Sequence, residues 1–276
     1  MRRYITRDLF FSHQKNNIGT FFKYRDWRNA FHKRILTENE LYFSAPSQFN
    51  DPFDAQIPFL YKEEDLTLAN IRKRLSYEVR KNNPDPRIND NVVSGIVTSI
   101  IEKGGYTPDE INNRVLEYMD EYKKHINRTW TICSFTIHPD NLLMWSHYAD
   151  SHRSFCVGLD TNYVEKINDI TIIPVEYSEG FPNLPILNDH DEYYKLITTK
   201  STHWGYEDEY RVVRLTEFGN IVKLPNEAYT QLIFGLKIDP EIRKEVIELA
   251  KSKFPRIEIF DSKMKRTSFG IDLVPI

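Results

Sequence analysis

Cysteine is scarce in this sequence. Only Cys133 and Cys156 occur among 276 residues, in apolar runs and without a CxxC neighbour. A disulfide framework is therefore not expected; two buried, reduced thiols and a cytoplasmic setting are. Glycine is also scarce, at 10 residues, and no glycine-rich fingerprint joins a strand to a helix, which argues against a Rossmann dinucleotide site. No apolar run reaches the length of a membrane helix, and "MRRYITRDLFF" has no apolar core followed by a small-residue cleavage site, so neither membrane association nor a leader is expected. The net charge of -3 supplies no overall basic field to attract nucleic acid. Basic residues cluster only at Arg2-Arg3 and Lys263-Met264-Lys265-Arg266, which read as solvated tails or faces. Internal repeats and low-complexity segments are absent.

Aromatic residues are plentiful, with 16 Tyr and 17 Phe, and point to a packed core or a ring-lined cleft. "GTFFKYR" and "ELYFS" read as strands, with "DWRNAFHKRILTENE" between them as a helix capped by Asp26. Residues 61–129 carry three amphipathic stretches: "EEDLTLANIRKRLSYEVRKNN", "NDNVVSGIVTSIIEKGG" and a helix opening at Thr107 with Pro108 first. From Trp130 onward short β-branched and aromatic runs return: "WTICSF", "SFCVGLD", "ITIIPVEY", "EYRVVRL", "TQLIFGL" and "RIEIFD". "DPEIRKEVIELAKSKF" is a helix before the last of these. The pattern predicts an α+β fold, a mixed or antiparallel split sheet in one domain spanning 1–276, with 61–129 as a helical insertion or lid.

Four polar clusters sit at strand ends. In "KYR", alternation places Phe22 and Tyr24 on one face and Lys23 and Arg25 on the other. Arg25 suits a bidentate contact to carboxylate or phosphate, although a structural ion pair is the commoner use. "YFSAPSQFNDPFD" gathers Ser44, Asn50, Asp51 and Asp54; an Asx turn is expected, with Phe49 and Phe53 pinning the loop and Asp54 pairing with Arg25. "LLMWSHYADSHRSFCVGLD" puts Met144, Trp145 and Tyr148 at helical spacing around His147, a core segment or a stacking wall for a planar ring. His147 and His152 are five apart, which is not zinc-ligand spacing, and no metal is expected. In "KSTHWGYEDEYRVVRL", Glu209 and Arg211 share a strand face, as a structural ion pair or as a catalytic carboxylate with its orienting partner.

Taken in order, "KYR", "ELYFSAPSQFNDPFD", "CSF", "NLLMWSHYADSHRSFCVGLD" and "WGYEDEYRVVR" closely resemble a bacterial family catalogued as domain of unknown function 2971, over roughly residues 20–215. Ser154 stands where members often carry Gly. A weaker resemblance, to ADP-ribosyltransferases, rests on Arg25 at the end of a first strand, Tyr42 or Ser44 on a second, and the Glu-x-Glu of Glu207 and Glu209. It implies an enzyme using NAD as substrate, a defence or toxin effector with a protein or nucleic-acid acceptor. Glu209, Glu207 and Arg25 would be catalytic. Tyr24, Arg25, Ser44, Asn50, Asp51, Asp54, Trp145, His147 and Tyr148 would hold the nucleotide. Glu209 would stabilise positive charge on the ribose, and Glu209→Gln would abolish activity while leaving the fold largely intact. Two other classes fit the same residues. One is a non-catalytic ligand-binding or interaction module of a stress or phage-defence system, with Arg and Glu in a buried network. The other is a nucleic-acid enzyme with Mg²⁺ held by Asp51, Asp54, Glu207 and Glu209.

Overall fold

The computed structural model describes residues 18–85, 87–117, 119–187 and 194–276; Arg2-Arg3 and the rest of the N-terminal stretch lie outside them. The strands, in chain order, are β1 (Thr20–Arg25), β2 (Glu40–Tyr42), β3 (Leu60–Tyr61), β4 (Trp130–Thr136), β5 (Phe155–Asp160), β6 (Ile170–Pro174), β7 (Glu176–Ser178), β8 (Asn183–Leu184), β9 (Thr199–Ser201), β10 (Glu209–Leu215), β11 (Ile221–Lys223), β12 (Tyr229–Phe234), β13 (Glu258–Met264) and β14 (Ile271–Pro275). Eight of them form a mixed sheet in the order β14-β13-β12-β5-β1-β4-β10-β6. Within this sheet, among the described residues, only β12 and β13 pair in parallel, joined by the Pro240–Lys253 helix that such a crossover requires. The fold is α+β, as the sequence pattern predicts.

Antiparallel partners share a face, so the registers assign every side chain to one side of the sheet. Phe21, Lys23 and Arg25 pair with Leu159, Val157 and Phe155. This face carries the largest core, where Phe21, Phe155 and Val157 join Cys133, Phe135 and Val212 beneath Leu36 and helical Val246 and Ala250. Phe22 pairs with Gly158 and Thr136, Thr136 with Glu209, and Ser134 with Arg211. On that second face Phe22, Tyr24 and Cys156 pack with Met144 and Trp145 of the Leu142–Tyr148 helix.

The expected split is present between β1 and β4, which share one paired position, Phe22 with Thr136. Beyond it the strands separate. Ser44 takes the vacated edge, exchanging two 2.8 Å backbone bonds with Ile132. Lys23 Nζ donates to Ser134 O at 2.5 Å.

Between β3 and β4 run the helices Leu68–Asn82, Asp90–Glu102, Pro108–Glu117 and Met119–Thr129. Thr67 and Asn89 cap the first two, and left-handed Gly104 and Gly105 follow the second. Ile71, Leu75 and Val79 interlock with Val93 and Val97 in a separate apolar cluster. No helix among the described residues is long and apolar enough to cross a membrane. One expected element is much shorter: within "DWRNAFHKRILTENE" only Arg34–Thr37 is α-helical. Asn29 Oδ1 accepts from the amides of Phe31 and His32 and so competes with helical bonding, and Phe31 is 82% exposed.

Candidate active site

The run Glu207-Asp208-Glu209 bends at Asp208, whose φ of 42° lies in the left-handed region that Asp tolerates. Glu207 closes a 3₁₀ turn and Glu209 opens β10, so the bend brings both carboxylates to one place. Arg211, two residues on, shares Glu209's face and donates from Nε to Glu209 Oε1 at 2.9 Å. Its other nitrogens donate to Asp54 Oδ1 at 2.5 Å and to Ile197 O. Lys200, at the centre of β9, points its Nζ at all three acids: Glu207 at 2.5 Å, Glu209 at 3.0 Å and Asp54 at 3.4 Å. Every member of this quintet is buried.

The "NDPFD" loop delivers Asp54 through the expected Asx turn. Asp51 Oδ1 accepts from Phe53 N at 2.9 Å, and Asp51 O accepts from Asp54 N at 3.0 Å. Asp51 Oδ2 also accepts from Trp204 Nε1 at 2.7 Å, tying the loop to the segment before Glu207. Tyr148 donates its hydroxyl to Glu207 Oε1 at 2.7 Å, with the Asn50 side chain beside that hydroxyl. Tyr177 Oη accepts from Glu209 N. Above the acids stands a shelf of rings. His147, exposed, lies 6.2 to 6.4 Å centroid to centroid from Tyr206, Tyr148 and Trp204, and Trp204 sits 4.9 Å from Lys200 Nζ.

The two glutamates are driven apart in protonation. Burial raises the Glu207 carboxyl above its ordinary range against the pull of Lys200, and neighbouring Glu209 adds to the rise. Burial acts on Glu209 too, but Arg211 and then Lys200 outweigh it and hold that carboxyl well below the usual range. For Lys200, burial is overcome by Glu209, Asp54 and Glu207, and the ammonium is held charged. One acid is thus fixed as a carboxylate while the other retains a proton more readily.

Eight of the residues singled out in the sequence meet here: Asn50, Asp51, Asp54, His147, Tyr148, Glu207, Glu209 and Arg211. Four do not. Arg25 lies on the opposite face of the sheet from Glu209, so no hollow is walled by both. Tyr24 is 2% exposed and T-stacked on Trp145 at 5.0 Å, its hydroxyl donating to His138 O. Trp145 is fully buried and donates to Pro139 O, a core residue in place of a stacking wall. Ser44 serves the β4 edge. The expected Asp54–Arg25 pair is replaced by Asp54 with Arg211 and Lys200. Phe49 packs against a core cluster, whereas Phe53 is 58% exposed beside Phe181 and does not pin the loop. Ser154 is buried and accepts from Trp27 N through its hydroxyl.

Sequence reasoning missed Lys200, Trp204, Tyr206 and Tyr177. The signal for Lys200 was a single cation opening "KSTHWGYEDEYR"; nothing periodic marks it. Among the described residues no group of three or more His, Cys, Asp or Glu is arranged to hold a metal ion. Where Asp54, Glu207 and Glu209 converge, the Lys200 ammonium stands between them.

Residues 144–212 match a family model described as "Protein of unknown function (DUF2971)", which supports the family resemblance over that segment. The matched span holds His147, Tyr148, Lys200, Trp204, Glu207, Glu209 and Arg211; Asp51 and Asp54 lie outside it. No curated protein and no solved structure matches the chain.

Proposed function

We propose that this chain is an enzyme that transfers ADP-ribose from NAD, with Glu207 and Glu209 as its reactive pair. The observation carrying the reading is that one ammonium binds both carboxylates while their surroundings shift the two carboxyls in opposite directions. Paired acids pushed apart in this way mark acid/base assignments in glycosidic chemistry. Cleaving the nicotinamide–ribose bond sends its electron pair to nicotinamide and leaves positive charge on the ribose. Glu209, ionised and held by Arg211, faces that charge. The acceptor, a protein or nucleic-acid group, forms the new bond to ribose and passes its proton to the Glu207 carboxylate, the stronger base of the two because its pKa is raised. The rings of His147, Trp204 and Tyr206 offer stacking area for nicotinamide. These residues fit the nicotinamide–ribose end of NAD. Arg25 has no part in this reading.

The test is release of labelled nicotinamide from NAD, with and without cell extract as acceptor. Wild type should release it, and Glu207→Gln should slow release by about 10² to 10⁴-fold, the range of a lost general acid or base. Absence of release from wild type under either condition overturns the reading.

A second reading has one observation in its favour. Arg211, Glu209, Glu207 and Lys200 are 0%, 4%, 3% and 7% exposed, the burial expected of a network that specifies the fold of a non-catalytic module. It expects no nicotinamide release, together with unfolding on loss of any one member.

A further inference from the structure

Two cations on the other face of the sheet have no ion-paired acid among the described residues. Lys23 is 8% exposed and its ammonium donates to Ser134 O with the Cys133 side chain beside it, while lying 4.9 Å from the Phe135 ring. Arg25, half-buried two residues on along the same face, makes one long bond, from NH1 to Tyr24 O at 3.3 Å. No carboxylate lies within ion-pairing distance of either among the described residues. His32 is half-buried nearby, its Nδ1 3.4 Å from the Asp26 amide.

The contrast with Lys200 and Arg211 is direct. The same two residue types, across the same sheet, are each bonded there to two or three carboxylates. A buried charge without a partner is costly, and folds normally pair it. Lys23 and Arg25 stand at the end of β1 that lies beyond the one position it pairs with β4, Phe22 with Thr136.

We propose that the open side of the β1–β4 split is a second binding site, which takes the phosphate group of a small molecule between Lys23, Arg25 and His32. A guanidinium offers a fork for two phosphate oxygens, and an ammonium offers a point charge for a third. Two unpaired positive charges match a phosphate dianion and exceed what one carboxylate neutralises. The field between these groups is visible in the imidazole: burial, with Arg25 and Lys23 adding and Asp26 opposing, lowers His32 to about 4. An incoming anion reverses the effect of those two cations. The site lies across the sheet from Glu207 and Glu209, and its ligand is independent of the chemistry proposed there.

The test titrates full-length protein calorimetrically with inorganic phosphate and with adenosine diphosphate, at ionic strength matched by chloride and without NAD. Wild type should bind at least one of them saturably, with at least tenfold loss in both Arg25→Met and Lys23→Met. Equal affinity for the two ligands assigns the site to a phosphate group alone; tighter binding of the diphosphate assigns it to a nucleotide. Free of ligand, both variants should melt at or above the wild-type temperature, because each removes an uncompensated charge. Absence of saturable binding to wild type, unchanged affinity in either variant, or melting below wild type, which would make the cations structural, overturns the proposal.

Discussion

Glu209 is bonded to Arg211 Nε at 2.9 Å and to Lys200 Nζ at 3.0 Å, and all three residues are buried. The sequence-based expectation that Glu209→Gln spares the fold does not survive this bonding. Removing the charge leaves a guanidinium and an ammonium buried with too few acids, a loss of about 3 to 5 kcal/mol. Urea unfolding of Glu209→Gln measures it, and a loss under about 1 kcal/mol would show that the acid is dispensable to the network. The pH dependence has a defined sign. Glu209's carboxyl is depressed when folded, so its contribution is present above the unfolded value of about 4.3 and lost as pH falls through the folded one. Lys23 behaves differently: burial, helped by Arg25, lowers its ammonium to about 8, against about 10.4 unfolded. Between those values the unfolded chain keeps a proton the folded chain has released, so the Lys23 contribution rises with pH through that window. The stability of wild type minus that of Lys23→Met should climb from pH 8 to 10.4; a flat difference would place Lys23 in an ordinary solvated setting. The Glu209–Arg211 pair was legible in the sequence because strand alternation is local. Lys200 was not, because the irregular turn at Thr202–Glu207 that folds Glu207 and Glu209 back onto it has no periodic signature, and Asp54 comes from a distant loop.

At the scale of elements, two short segments set the geometry around Glu207. The Leu142–Tyr148 helix carries His147 and Tyr148, and Asn141 both caps it and donates from Nδ2 to Tyr206 O at 2.6 Å. Asn141→Ala should cost about 1 to 2 kcal/mol, since cap and loop tie are lost together. It should also raise the solvent exposure of Tyr206, read by fluorescence quenching; unchanged quenching would show that the tie does not hold the ring. The "NDPFD" loop is the other segment. The sequence identified it as a held corner through its Asx turn, and it is one, but Asp51 and Asp54 do the holding together with Phe49, and Phe53 takes no part. Apolar character alone did not reveal that Phe53 would stay exposed, because pairing it with Phe181 depends on a chain reversal more than a hundred residues away. Phe53→Ala should therefore change stability by no more than about 0.5 kcal/mol, as expected of an exposed side chain. A loss of several kcal/mol would mean that the ring anchors the loop after all.

At the scale of the whole molecule, the decisive quantity is register. Alternation within "TFFKYR" and "EYRVVR" shows which residues share a face of each strand, and both assignments hold. Whether Arg25 and Glu209 share a face of the sheet depends on how β1, β4 and β10 pair, and a one-residue change in any pairing would reverse the answer. That information is distributed over residues 20 to 215 and has no local signature. The same registers define the gap beside Ser134. A strand residue points its N–H and C=O to the same side, and Ser134 O faces Lys23 across the opening. The Ser134 amide therefore points into the split, whereas Cys133 and Phe135 turn toward β10, with Ser44 covering Ile132 on the split side. Protection from hydrogen exchange follows backbone bonding within a strand. Residue-resolved exchange should find Ser134 losing its proton faster than both neighbours and faster than Ile132, at a pH where the fold is intact. Equal protection along 132–135 would mean that β1 and β4 stay zipped past Phe22 and Thr136, which would close the space beside Lys23 and Arg25 and remove the phosphate site with it.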